Sequence, residues 1–358
     1  MHVIRARNVN DAYAAGMEYL SRHGVRESSR NGPVLVSPVP VTTSYAAPCE
    51  RVLFDAQRDA NPFFHLVEAL WMLAGRQDAN LPAQFAKNIL NYANDGVLHG
   101  AYGYRWLNWW EAFDGSSDLD QLDAAVTLLR GDPTSRQAVI TMWDPMADVV
   151  QPGTEHWRDR PCNTHLYLRV RDDPTVRGGE ATHDPVLDIT VCCRSNDIIW
   201  GAYGANAVHF SVLQEYLAAA LGVGVGTYYQ VSNNFHAYLS EFEKRWPPPP
   251  GSPDPYGPGD LVTVPLVTDP GCFLREVVCL LMAYETLGEG DRPGFDATIH
   301  RMVGEMSNRF LPDVAWPMVM AHSCHRAADP VGAHKWVPRV VAEDWQMAAR
   351  WWIMRRQK

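Results

Sequence analysis

Residues 160–170 read RPCNTHLYLRV, and residues 187–193 read LDITVCC. From Thr164 to Val170 and from Leu187 to Cys193 the chain is β-branched or alternating, the pattern of sheet segments, and Ala138 to Trp143 (AVITMW) adds a third such run. The polar stretch joining the first two, with Pro174, Gly178, Gly179 and Pro185, reads as a long hairpin connection. Helices lie between the strands. Tyr13, Met17 and Leu20 share a face within residues 10–22, and Phe63, Leu66, Val67, Leu70 and Trp71 mark residues 62–74, with Asn61 as cap and Pro62 in the first turn. Both read as half-buried. Phe210, Leu213, Leu217 and Leu221 stripe a third helix, 207–221, which Gly222 ends. The alternation of types predicts a mixed α+β architecture.

Working outward, residues 246–260 (WPPPPGSPDPYGPGD) hold seven prolines, which exclude helix or central strand and predict an irregular surface segment. It divides the chain into a catalytic-sized unit, 1–245, and a mainly helical portion, 261–358, with helices over 270–290 and 294–310. A length of 358 residues and 46% hydrophobic content suffice for a large core. A formal charge of -10 argues against a general nucleic-acid surface, although a few placed arginines can still bind a small anion. The seven cysteines are scattered and form no CxxC pair, so reduced thiols and no metal site are expected. The first twenty residues contain no cationic segment followed by an apolar stretch, and no run of about 18 apolar residues occurs. A soluble, cytoplasmic protein without membrane contact is expected.

Three segments carry chemistry. Cys162 lies between Pro161 and the start of a strand, where a side chain can be held at a sheet end; an isolated cysteine is otherwise a small buried hydrophobe. Arg194, Ser195, Asn196 and Asp197 follow an apolar strand, where arginine and aspartate could equally form a local ion pair. His236 and Tyr238, two apart in SNNFHAY, point to one side of an extended strand.

In that order, the PC, RSxD and HxY motifs resemble the thymidylate synthase family. HLVEALWMLAG (65–75) is similar to its glutamate-bearing helix and AYGYRW (101–106) to its tyrosine-glycine motif. PTSRQAVI (133–140) resembles the arginine segment that reaches the partner subunit's phosphate site, and SSRNG (28–32) the N-terminal phosphate loop. The resemblance implies a thymidylate synthase-like mixed sheet with flanking helices, a homodimer, a pyrimidine nucleotide monophosphate as substrate and 5,10-methylenetetrahydrofolate as co-substrate. Cys162 would add to C6 of the pyrimidine, giving C5 the electron density it lacks as a nucleophile. Arg30, Arg194, Ser195 and, across the dimer, Arg136 would bind the 5'-phosphate, with Arg194 also supplying positive potential to the thiol. Glu68 would handle protons at the C4 substituent and help expel the folate amine, Tyr102 would assist removal of the C5 proton, and Asp197 would orient the pterin. His236 and Tyr238 would bond the sugar 3'-hydroxyl, and Asn206 would read the base.

The chain departs from the family in places. Asn206 lies one residue further from the RSxD motif than the family's base-reading asparagine, a match that needs a one-residue insertion. Gln137 replaces a second arginine, and Cys193 a glutamine. The tryptophan-rich segment before the YG motif is here AKNILNYANDGVLHG, with no tryptophan. Loss of that aromatic wall opens an exocyclic methylene to water and favours hydroxymethylation of dUMP or dCMP over methylation of dUMP to dTMP. The RSND form and the tail WWIMRRQK point the same way. The residues alone leave uracil against cytosine, and deoxyribose against ribose, open. Two other readings compete: a cysteine hydrolase using Cys162, His236 and Asn234, and a nucleotide-binding regulator that kept the fold and lost activity.

Overall fold

The computed structural model describes all residues except 113–114, 116–117, 150–156, 178–179, 248–253, 258–260, 288–292 and 358. Its strands are β1 His2–Ala6, β2 Val25–Ser29, β3 Gly32–Val36, β4 Val41–Tyr45, β5 Val139–Thr141, β6 Asn163–Arg177, β7 Glu180–Cys193, β8 Asn196–Asp197, β9 Gly224–Ser232 and β10 Phe235–Tyr238. The helices up to the Pro-rich segment are α1 Val9–His23, α2 Pro62–Leu73, α3 Asn80–Ala83, α4 Tyr102–Leu107, α5 Gln121–Gly131, α6 Pro145–Asp148, α7 Asn206–Leu221 and α8 Leu239–Glu243. Beyond it come α9 Pro270–Leu287, α10 Pro293–Gly304, α11 Trp316–Arg326, α12 Pro330–Trp336 and α13 Glu343–Met354. None of the described helices is long and apolar enough to cross a membrane.

Six strands form a mixed sheet in the order β1-β4-β9-β7-β6-β5, and four form a second in the order β2-β3-β10-β8. The chain passes from the first sheet to the second at β1 to β2 through α1, and at two tight crossings, from β7 to β8 through Arg194 and Ser195 and from β9 to β10 through Asn233 and Asn234. Backbone bonds tie these crossings together: Arg194 N donates to Cys162 O, Asn233 N to Cys193 O and Asn196 N to Asn234 O, each at 2.8 Å. The seam between the sheets is therefore a fixed strand-end platform, and Cys162, immediately before β6, sits on it.

The three helices expected from apolar spacing are present. Asn61 Oδ1 accepts from Phe64 N at 3.1 Å, which caps α2 behind Pro62. Gly222 closes α7 at φ 72°. Two expectations need correction. Helix α2 is buried on nearly every side rather than half-buried, because α7 covers one flank and α9, α11 and α13 pack over the rest. The hairpin is also mostly strand: β6 and β7 stay paired from Asn163 and Cys193 out to Arg177 and Glu180, with one register shift between Asn163 and His165, and residues 178–179 lie outside the described residues.

The strand expected over 138–143 is ordered as β5 only at Val139–Thr141, after which Met142 N and Trp143 N both donate to Thr164 O. Of the Pro-rich segment, residues 248–253 and 258–260 lie outside the described residues. Within the rest, Tyr256 is fully buried, and its hydroxyl donates to Asp344 Oδ2 at 2.8 Å and accepts from Val52 N at 3.2 Å. That pins the connection to α13.

Candidate active site

Two cavities meet at the seam. The larger, about 820 Å³, is lined by Arg30 from the β2–β3 turn, Cys162, Arg194 and Ser195 from the β7–β8 crossing, and His236 and Tyr238 from β10. Alternation along β10 puts the last two on one face, with ring centroids 5.8 Å apart. The smaller, about 250 Å³, is lined by Glu68 and Trp71 of α2, Tyr102 of α4, and Asn206 and His209 of α7. Tyr92 and Asp159 line both. Nine of the residues singled out from sequence thus fall on two adjoining cavities. Asp197 and Arg136 line neither.

Cys162 is half-buried, and Arg194 Nη2 lies 3.9 Å from its Sγ. Burial pushes the thiol above its ordinary value; Arg194 and, more weakly, Arg30 pull it down, while Asp159 pushes it up. Arg194 is aimed by its Nε donating to Pro161 O at 2.9 Å and Nη2 to Arg160 O at 3.2 Å. The arginine that faces the thiol is therefore anchored on the two residues that precede it. Arg158 and Arg160 add further positive charge to the wall, a contribution the RDR run before Pro161 could have signalled.

Asp159 itself accepts from Gly100 N at 2.8 Å. A Cβ at Gly100 would come within 2.8 Å of the Arg160–Pro161 backbone, so only glycine lets the YG segment approach the cysteine loop this closely. Burial raises the Asp159 carboxyl above its ordinary value. Tyr102 is likewise pushed well up by burial, with Cys162 among the charges that add to the shift and a hydrogen bond from Asn163 opposing it.

Between Asp197 and Asn206 the chain makes a π-type helical turn, Ile198–Ala205, kinked at Gly204, a wider turn of the kind a one-residue insertion needs. Asp197 caps it: Oδ1 accepts from Ile199 N at 2.9 Å and Trp200 N at 2.6 Å, and Oδ2 accepts from Tyr238 N at 3.3 Å. This wider turn returns Asn206 to the cavity wall at the start of α7.

A family model described as Thymidylate synthase matches residues 11–245. The chain belongs to the thymidylate synthase family. It is a one-carbon transferase of that family. Within the family it is similar to a protein named Deoxyuridylate hydroxymethyltransferase from Pseudomonas phage M6, 41% identical over 372 aligned residues that span 100% of this chain and 95% of the relative. A Bacillus phage SP01 protein of the same name is 37% identical over 57% of this chain and 50% of its own length. A protein named Putative thymidylate synthase from Methanosarcina barkeri is 25% identical over 67% of this chain and 91% of its own length.

Four neighbours of these cavities and of Cys162 were not foreseen from sequence: Asp159, His209, Tyr92 and Asn163. Tyr92 occupies the stretch where the family's tryptophans were missed, and it is 48% exposed, an open wall rather than a sealed one. Asn163 follows Cys162 directly and bonds Asn206.

Proposed function

We propose that this chain transfers a one-carbon unit from 5,10-methylenetetrahydrofolate to C5 of dUMP and releases 5-hydroxymethyl-dUMP. The observation that carries the reading is Cys162 facing a cavity whose other walls hold Arg30, Arg194, Ser195, His236 and Tyr238. The arginines and Ser195 suit a 5'-phosphate, and the alternating His236 and Tyr238 suit a sugar hydroxyl. The smaller cavity, with Trp71, Ile89, Tyr92 and Leu98 as apolar walls, suits the flat folate rings beside the base.

In this reading Cys162 Sγ bonds C6, Tyr102 assists loss of the C5 proton, and Glu68 manages protons at C4 and on the departing amine. Asp197, which lines neither cavity and accepts from three backbone N–H groups, would act by holding the Ile198–Ala205 turn and β10 in place rather than by touching the pterin. Arg136, exposed on the segment before β5, would reach the phosphate of a second subunit in a homodimer. Hydroxymethyl is preferred to methyl because Tyr92 leaves the reacting carbon open to water, and because the relative aligned along the whole chain bears that name.

The test is to incubate the protein with dUMP, dCMP, UMP or CMP plus methylenetetrahydrofolate and to weigh the product. Hydroxymethyl-dUMP is expected, with tetrahydrofolate regenerated. Growth of dihydrofolate absorbance with dUMP would instead establish dTMP as the product.

A further inference from the structure

The α2–α7 packing buries an imidazole against a carboxylate at the wall of the smaller cavity. His209 is 3% exposed and Glu68 8%, and His209 Nε2 lies 2.9 Å from Glu68 Oε2. Asn206 and His209, three apart on α7, share the helix face that looks toward the cavity. Although the pair is close, the angles at Nε2 and Oε2 make no hydrogen bond, and His209 Nδ1 has no partner among the described residues. Trp71, Met72 and Leu98 make the wall apolar on one side, and Asn206, Tyr92, Tyr102 and Asp159 are the other polar side chains on it, none of them bonded to the free atoms of the pair. Buried polar atoms left in this state are completed by water or ligand. The adjoining 250 Å³ has room for both.

We propose that His209 and Glu68 together hold the water that adds to the exocyclic methylene, making His209 a positioning residue that directs the reaction to the hydroxymethyl product. The inference rests on the hydroxymethylase reading above. Once tetrahydrofolate has left, the C6-bonded pyrimidine carries a C5=CH2 group. The water oxygen bonds the CH2 carbon, the π pair moves into the ring as the C4 enolate, and the water's proton passes to the Glu68–His209 couple. Collapse of the enolate then expels Cys162 as thiolate from C6 and restores the C5=C6 bond. No hydride is used, so the folate leaves as tetrahydrofolate.

The experiment uses the full chain with C5-tritiated dUMP and methylenetetrahydrofolate, comparing wild type with His209→Phe and His209→Gln. Tritium release reports the steps before water addition and also that the variant is folded. With His209→Phe, tritium release is expected to persist while hydroxymethyl-dUMP formed per tritium released falls by about a hundredfold, the scale of a lost proton-handling group. His209→Gln, which can still bond a water, is expected to recover part of that ratio. A ratio unchanged from wild type in both variants overturns the inference, as does a parallel fall of tritium release and product in both. A wild-type enzyme that makes dTMP and dihydrofolate sinks the hydroxymethylase reading itself, before any variant is compared.

Discussion

Asn163 Nδ2 donates to Asn206 Oδ1 at 3.2 Å, and this bond is the end of a chain of amides with one permitted direction. Gln230 Nε2 donates to the Ala202 carbonyl at 3.5 Å and to Tyr228 Oη at 2.8 Å. A carbonyl cannot donate, so Gln230 must turn its Oε1 toward Asn196, whose Nδ2 meets it at 3.1 Å. Asn196 Oδ1 then accepts from Asn206 Nδ2 at 3.1 Å. Gly201 permits the pairing, since a Cβ there would lie 2.9 Å from Asn196 Oδ1. The amide of Asn206 is thus oriented from the protein interior, with one N–H and one lone pair left for a base.

In the proposed base-reading role, that orientation matches uracil, whose O4 accepts and whose N3–H donates. Gln230→Leu removes the polarity at its source without touching the cavity. It is expected to narrow the ratio of kcat/KM for dUMP over dCMP by roughly fivefold, the equivalent of about 1 kcal/mol for one net hydrogen bond. Parallel rate measurements on the two nucleotides check it, and an unchanged ratio would show that Asn206 is held by other means.

The thiol of Cys162 answers to two opposed charges, which makes its ionisation separable in two directions. Arg194 stabilises the thiolate and Asp159 opposes it. Arg194→Met therefore raises the thiol pKa and moves the rise of alkylation rate with pH to higher values. Asp159→Asn moves it to lower values. Iodoacetamide labelling of Cys162 across a pH series, without nucleotide, measures both; shifts of the same sign in the two variants would contradict this electrostatic account.

Helices α1, α2 and α7 were legible because each carries its apolar stripe in its own sequence. The full burial of α2 was not, since the helices that cover it, α7 and then α9, α11 and α13, come from far along the chain. Pro174 and Pro185 argued for a loop, yet both lie in strands. The β6–β7 pair gains its third strand, β9, only from Val186 inward, so the outer ribbon has free edges on which proline removes no ladder bond. Cys162, Arg194, His236 and Tyr238 were legible as motifs. His209 was not, because NAVHF reads as a helix start, and only packing against α2 brings Glu68 to it.

A buried charge cluster under the cysteine loop gives an acid-dependent prediction. Arg105, fully buried, donates to Asp148 through Nη2 at 2.9 Å and Nη1 at 3.2 Å, and His99 Nε2 meets the same carboxylate at 2.7 Å. Burial alone would raise the Asp148 carboxyl, but His99 and Arg105 outweigh it and hold it below its ordinary value. A carboxyl depressed on folding stabilises the protein above its unfolded pKa, near pH 4, and that contribution is lost as pH falls through the folded value. Asp148→Ala leaves Arg105 without its counter-charge and is expected to cost about 3–5 kcal/mol at neutral pH. Urea midpoints for both proteins from pH 7 to pH 3 should converge on acidification; a gap that stays constant would assign the loss to packing.

The C-terminal helices bear on the active site through α2. Trp352 of α13, buried, packs edge-to-face with Phe63 with centroids 5.4 Å apart, and the Arg356 guanidinium lies 3.8 Å from the Trp352 ring centroid while bonding Asp59. Phe63 stands in the first turn of α2, and Glu68 follows five residues later on the same rigid segment. Trp352→Ala removes a large core side chain and is expected to destabilise the fold by about 3–5 kcal/mol. The more telling effect is on rate. Because nothing in α13 lines either cavity, nucleotide KM should hold while kcat falls, as Glu68 in its proposed proton-handling role loses its fixed position. Trp352→Phe, which keeps an aromatic edge against Phe63, should restore most of kcat. Thermal melts and steady-state rates on the two variants separate the effects, and a kcat that tracks stability alone would sever the link between the tail and the carboxylate.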